Sequence, residues 1–121
     1  MSKILIVDDE IEICDFLKEF FSDRDYDVVT ASSGEEALAK VEKEDPAILL
    51  LDVKMPGIDG LEVLRMVKDK YPKLKVIMVT AVETSDQIDE AFRLGADNYI
   101  TKPLSLEYLE RDVKEKIANL V

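Results

Sequence analysis

Ala47-Ile48-Leu49-Leu50-Leu51-Asp52 is an unbroken apolar run that stops on a carboxylate. A strand that is apolar at every position, without alternation, is buried on both faces. That is the condition of a central strand in a parallel sheet covered by helices on either side. Three further runs end in the same manner. Ile4-Leu5-Ile6-Val7 leads into Asp8-Asp9, Val76-Ile77-Met78-Val79 into Thr80, and Tyr99-Ile100-Thr101 into Lys102-Pro103. A fifth β-rich stretch, Tyr26 to Ala31, alternates and fits an outer strand.

Helical patterns fill the gaps. Ile13, Phe16, Leu17, Phe20 and Phe21 share one face of a first helix, with Cys14 expected as a small core residue. Ser33-Gly34-Glu35-Glu36 has the spacing of a capping box and opens a second helix carrying Ala37, Leu38 and Val41. Asp45-Pro46 ends it, since the residue before a proline is biased away from the helical region. Pro56-Gly57 and Gly60 form a turn into a third helix with Leu61, Leu64 and Val67, closed by Tyr71-Pro72. Thr84 and Gln87 again have capping-box spacing, before a short helix with Ile88, Ala91 and Phe92 and a stop at Gly95. Ser105 caps a last helix with Leu106, Leu109, Val113, Ile117 and Leu120 toward the core. Strand followed by helix, five times, predicts an α/β fold: one domain over residues 1–121, with a doubly wound parallel sheet.

The chain has 121 residues, 47 % of them apolar and 36 % charged, which suits a single folded domain with one core. A net charge of −11 argues against direct contact with nucleic acid or an anionic membrane, both of which need a basic surface. The absence of histidine removes metal–imidazole sites and histidine-based triads. A single cysteine allows no intrachain disulfide and fits a cytoplasmic location. No apolar stretch is long enough to span a bilayer.

In an open parallel sheet, ligands sit beyond the carboxyl ends of the strands. Asp8, Asp9, Asp52, Thr80 and Lys102 are therefore expected on one edge. Three close carboxylates in a partly dry pocket repel, and a hard divalent cation such as Mg²⁺ with oxygen ligands relieves that repulsion. The combination of acids, hydroxyl and ammonium reads as a metal-assisted phosphoryl-acceptor site.

Asp8-Asp9, Asp52 with Met55-Pro56-Gly57 and Gly60, Thr80-Ala81, and Lys102-Pro103 together resemble the receiver domain of two-component response regulators. The resemblance runs from Lys3 to about Leu120. It implies a flavodoxin-like sheet of order 2-1-3-4-5 with five helices, acting as a signalling domain rather than an enzyme. Asp52 is then the nucleophile and phosphorylation site, becoming an aspartyl phosphate. The donor is a phosphohistidine on a sensor histidine kinase or phosphotransfer protein. Mg²⁺ is held directly by Asp9, by Asp8 partly through water, by Asp52, and by the main-chain carbonyl of Lys54. Lys102 pairs with the carboxylate and then with a phosphoryl oxygen, and Pro103 invites a cis peptide bond. Thr80 hydrogen-bonds the phosphoryl group, and Tyr99, an aromatic three residues before the lysine, moves from exposed to buried.

The resemblance further makes Lys54 and Val82 the positions that tune phosphoryl lifetime. Val82 cannot place a hydrolytic water, so self-dephosphorylation is expected to be slow. The response passes to a downstream protein or a fused output domain. In winged-helix regulators, charged residues on this last region form dimer salt bridges. Here those positions hold Asn98, Tyr108 and Asp112, so that dimer is not expected. The alternative is a Mg²⁺-dependent hydrolase with an aspartate nucleophile. Such enzymes usually carry a second acid two residues on, where this chain has Lys54. A flavin binder of the same topology needs a Ser/Thr/Gly-rich phosphate cradle after the first strand, where this chain has Asp8-Asp9-Glu10.

Overall fold

Five parallel strands lie in the order β2-β1-β3-β4-β5 in a computed structural model that describes residues 2–81 and 85–120. They are β1 (Lys3–Val7), β2 (Asp27–Ala31), β3 (Ile48–Asp52), β4 (Lys75–Thr80) and β5 (Asn98–Thr101). The connecting helices are α1 (Ile11–Ser22), α2 (Gly34–Glu44), α3 (Gly60–Lys70) and α4 (Ser85–Arg93). The last helix, α5, covers 106–118 in three continuous pieces: Leu106–Tyr108, a π-helical stretch Leu109–Val113, and Lys114–Ala118.

The pleat sorts the apolar runs into two cores. Ile4, Ile6, Ile48, Leu50, Ile77, Val79 and Ile100 face α1 and α5, meeting Leu17, Phe21, Leu109, Val113 and Ile117. Leu5, Val7, Leu49, Leu51, Val76 and Met78 face the opposite side, against Ala37, Val41, Val63, Leu64, Val67 and Ala91. Both layers are needed, because every β3 position is buried.

Several helix ends follow the sequence signals. Ser33 Oγ accepts from the Glu36 N–H at 3.1 Å. The Glu36 carboxylate reaches past Ser33 to the Ser32 N–H at 2.6 Å, so the reciprocal half of the box lies one residue further back. Asp45 takes a left-handed conformation (φ 47°) and closes α2. Ser105 Oγ accepts from the Tyr108 N–H at 3.1 Å. The expected cap at Thr84 lies outside the described residues.

Two core assignments are corrected. Phe16 is 37 % exposed and Leu106 57 % exposed. In α1 the buried stripe runs through Cys14, Leu17, Phe20 and Phe21, all expected in the core, and leaves Phe16 outside its border. Leu106 stands in the first turn of α5, ahead of the buried Leu109. Phe92 is likewise exposed on α4, whose buried contact is Ala91.

The outer edge of β5 is closed by side chains. Asn98 Oδ1 accepts from the Tyr99 N–H at 2.8 Å, the Lys116 ammonium donates to the Tyr99 carbonyl at 3.0 Å, and the Tyr108 hydroxyl accepts from the Thr101 N–H at 3.1 Å. On the other side of the sheet, Lys68 and Asp97 pin α3 to the start of β4. The ammonium meets the Asp97 carboxylate at 2.9 Å, and the same carboxylate oxygen accepts from the Val76 N–H at 2.8 Å.

Candidate functional site

The two-residue period of the strands decides which side of the sheet edge each polar residue serves. Asp8 continues the parity of Ile4 and Ile6, Asp52 that of Ile48 and Leu50, and Lys102 that of Ile100, all on the α1/α5 side. Thr80 continues Val76 and Met78 on the opposite side, and Tyr99, the register partner of Met78, packs with them. The β1–β3 register pairs Val7 with Leu51, which brings Asp8 beside Asp52 at the point where the strand order reverses. Asp8, Asp52, Lys102 and Thr80 of the expected site thus reach one edge, but in two groups on opposite sides of the sheet.

In the first group, the Lys102 ammonium lies 3.0 Å from Asp8 Oδ2 and 3.3 Å from Asp52 Oδ2. Asp8 and Asp52 are 2 % and 4 % exposed. The main chain holds both carboxylates: Asp8 Oδ1 accepts from the Glu10 N–H at 2.9 Å, and Asp52 Oδ1 from the Lys54 N–H at 3.4 Å. Lys102 is fixed by its own N–H to the Thr80 carbonyl at 2.8 Å, and the Lys102–Pro103 bond is cis.

Burial pushes the Asp52 carboxyl up to about 6, and the adjacent Asp8 charge pushes the same way; the Lys102 charge and hydrogen bond oppose them. Burial alone would lower Lys102. The hydrogen bond that the ammonium donates to Asp8 and the charges of Asp52 and Asp8 outweigh it, and the ammonium is held above the ordinary lysine value. Cys14 sits under this group with its thiol 3.3 Å from the Asp8 carbonyl. Burial and the Asp8 charge push it up to about 11, which keeps it a protonated core thiol.

Asp8, Asp9 and Glu10 each bring a carboxylate oxygen within 4.8 Å of the others. Hard oxygen donors at that spacing suit Mg²⁺. Asp8 is the buried member, while Asp9 and Glu10 are exposed at the mouth. Glu10 was not among the expected site residues. It occupies the N-cap position of α1 without capping it. Its carboxylate turns instead to the Lys102 ammonium at 3.4 Å. The signal for it was in plain view as the third acid of Asp8-Asp9-Glu10.

The loop from β3 to α3 frames Asp52. Lys54 is exposed. Gly60 opens α3 under the strand end, donating its N–H to the Val53 carbonyl at 2.8 Å. A side chain at Gly60 would collide with the Asp52 carbonyl and come within 2.8 Å of the Val53 Cα. Gly60 therefore permits close approach of helix and strand rather than merely turning the chain. Val82 lies outside the described residues.

The second group is apolar with polar edges. Thr80 is 4 % exposed, and Tyr99 is half-buried with its ring edge-on to Phe92 at 5.8 Å. Behind the ring is a cavity of about 10 Å³ lined by Val53, Met78, Thr80, Gln87, Ile88, Ala91 and Tyr99. In front of it is a hollow of about 320 Å³ lined by Ser85, Ile88, Tyr99 and Thr101.

Known proteins share both sequence and fold with this chain. The alkaline phosphatase synthesis transcriptional regulatory protein PhoP of Bacillus subtilis is 41 % identical over 93 % of the chain. The chain spans 47 % of PhoP, about half its length. A CheY-like response regulator receiver domain from Methanospirillum hungatei superposes with a TM-score of 0.89 at 35 % identity, covering 99 % of this chain and 96 % of its own. The Thermotoga maritima response regulator TrrA, solved in complex with Mg²⁺ and BeF, gives 0.88 at 37 % identity over the full length of both chains. The family model described as the response regulator receiver domain matches residues 4–114, from the first strand into the last helix. On that match and the shared sheet, the chain belongs to the receiver domain family of two-component response regulators.

Proposed function

We propose that Asp52 accepts a phosphoryl group from a phosphohistidine on a sensor histidine kinase or phosphotransfer protein, and that the phosphorylated domain signals to a downstream protein or fused output domain. The observation that carries this is the buried Asp52 carboxylate, 3.3 Å from an ammonium on a sheet edge rich in acids. A carboxylate oxygen of Asp52 attacks phosphorus, an O–P bond forms, and the P–N bond to the donor imidazole breaks with its electron pair leaving on nitrogen.

Lys102 is the mobile countercharge. It neutralises Asp52 beforehand and is within reach of a phosphoryl oxygen afterwards. Asp9 and Asp8, with Asp52 and the Lys54 carbonyl, are the groups that would hold Mg²⁺, which when bound neutralises charge on the transferring oxygens. The acidic triplet supports that assignment. Thr80 would bond the phosphoryl group from the other side, and Tyr99 would respond by moving inward. Lys54 and Val82 remain the positions assigned to lifetime. A cytoplasmic domain with no direct nucleic-acid or membrane contact fits the −11 charge. Among the described residues, no helix is long and apolar enough to cross a membrane.

The test is intact mass after incubation with acetyl phosphate and Mg²⁺. One phosphoryl group should be gained, and none with a chelator present or in Asp52→Ala. A phosphorylated Asp52→Ala variant would overturn the assignment.

A further inference from the structure

The Gln87 side-chain oxygen is buried and has no hydrogen-bond partner. Such an atom costs stability, so a native fold that keeps one calls for an explanation. Gln87 lines the small cavity beside Tyr99, with Val53, Met78, Thr80, Ile88 and Ala91. At about 10 Å³ the space is at the lower limit for a single water and far too small for a ring.

Tyr99 is the partition between this cavity and the open hollow of about 320 Å³ in front of it. The ring is held in its outward position by its edge contact with Phe92 and by the Lys116 ammonium 5.6 Å over its face. An inward step of the ring would fill and force open the inner space and leave the outer hollow larger. It would also carry a phenol hydroxyl into a mostly apolar enclosure, where it needs a partner; Thr80 on the same wall is the group assigned above to the phosphoryl oxygen.

We propose that Gln87 is that partner: its amide oxygen is left unpaired in the resting domain, and the amide bonds the Tyr99 hydroxyl when the ring turns inward. This rests on the reading of Asp52 as phosphoacceptor and of Tyr99 as the group that responds. The amide offers an acceptor on one side and donors on the other, and a phenol can serve either. The bond therefore does not depend on which way the amide faces. Gln87 acts as a positioning residue. An orphaned group in one state and a paired one in the other shift the balance between two ring positions without touching the phosphoryl group.

Mg²⁺ with beryllium fluoride serves as the probe, its attachment to Asp52 read from the ¹⁹F signal of bound fluoride. Ring position is read from ring-current shifts of the Met78 and Ala91 methyl resonances, which line the cavity. Gln87→Met keeps the reach of the side chain and removes the amide. With the adduct formed, it should lower the inward-to-outward ratio about five- to tenfold, the worth of one hydrogen bond. In a Tyr99→Phe background, which lacks the hydroxyl, the same change should do little. Gln87→Leu is the second variant should the first perturb α4.

If the adduct forms and removing the amide has no effect, the role of Gln87 is overturned. It is equally overturned if the effect is the same in the Tyr99→Phe background as in the parent, which would point to a bound water as the partner instead. If no bound-fluoride signal appears, the phosphoacceptor reading fails, and this inference with it.

Discussion

Asp52 holds its negative charge at a cost to the fold. In the unfolded chain it titrates near the ordinary aspartate value of about 3.9, while in the folded state burial and Asp8 push it up to about 6. A group whose value is raised on folding stabilises the fold below its unfolded value and loses that contribution as pH rises through the folded one. The window is thus roughly pH 4 to 6, and the loss amounts to up to about 3 kcal/mol at neutral pH. Asp52→Asn cannot ionise. In urea titrations with chelator, the variant should match the parent near and below pH 4, exceed it increasingly between about pH 4 and 6, and keep a constant lead from there to pH 7.5. Taking the difference cancels Glu36, whose carboxyl is held low by the Ser32 N–H and by Lys40 and so acts in the opposite sense. A variant that loses ground as pH rises would show that Lys102, not burial, governs Asp52.

At the scale of elements, the seam between β3 and α3 is the tightest join near the site. Gly60→Ala would force a methyl against the Asp52 carbonyl and the Val53 Cα. Neither is a flexible side-chain end, so the helix must back away. A loss of about 2–4 kcal/mol is expected by denaturant unfolding. Gly57→Ala, at φ 79° in the same loop, should cost nearer about 1–2 kcal/mol, because the left-handed backbone is penalised while the added methyl meets only the movable end of the Glu35 side chain. Similar costs at both positions would show that the seam relaxes.

What could be read from the sequence follows the same division. The strand ends were legible because an unbroken apolar run has one interpretation and its terminating residue is then fixed in place, as with Leu51-Asp52 and Val79-Thr80. The width of the α1 stripe was not, since Phe16 and Cys14 both extend a helical stripe through Leu17 and Phe21, and only packing leaves Phe16 outside it. The π-helical stretch at Leu109–Val113 carries no local signature, because Leu109, Val113 and Ile117 fit ordinary helical spacing. Glu10 and Gln87 escaped notice as site residues for a different reason. Their parts depend on where a long side chain reaches, to Lys102 in one case and the Tyr99 cavity in the other.

For the whole molecule, charge dominates. The net −11 includes Asp8, Asp9 and Asp52, with Lys102 the neighbouring cation. A cation that binds only the folded state stabilises it by mass action. At ten times its dissociation constant, Mg²⁺ should add about 1.4 kcal/mol and raise Tm by about 5 °C, measured by calorimetry. Asp9→Asn should blunt the rise. Equal shifts in variant and parent would remove Asp9 from the ligand set. The rise should also shrink in Asp52→Asn, which leaves Lys102 with Asp8 as its main partner.

The closed edge of β5 sets the manner in which this domain can be read by another protein. An exposed edge strand is a template, open to strand addition by a partner or to pairing with its own kind. Here Asn98, Lys116 and Tyr108 already occupy the outward N–H and carbonyl groups of Tyr99 and the N–H of Thr101. A partner at this face must engage side chains, such as Phe92 and the ring of Tyr99, and cannot extend the sheet. Recognition then depends on where those side chains stand, which is the property that a switch at Tyr99 would change. The same plug leaves the domain without a sticky β5 edge at high concentration.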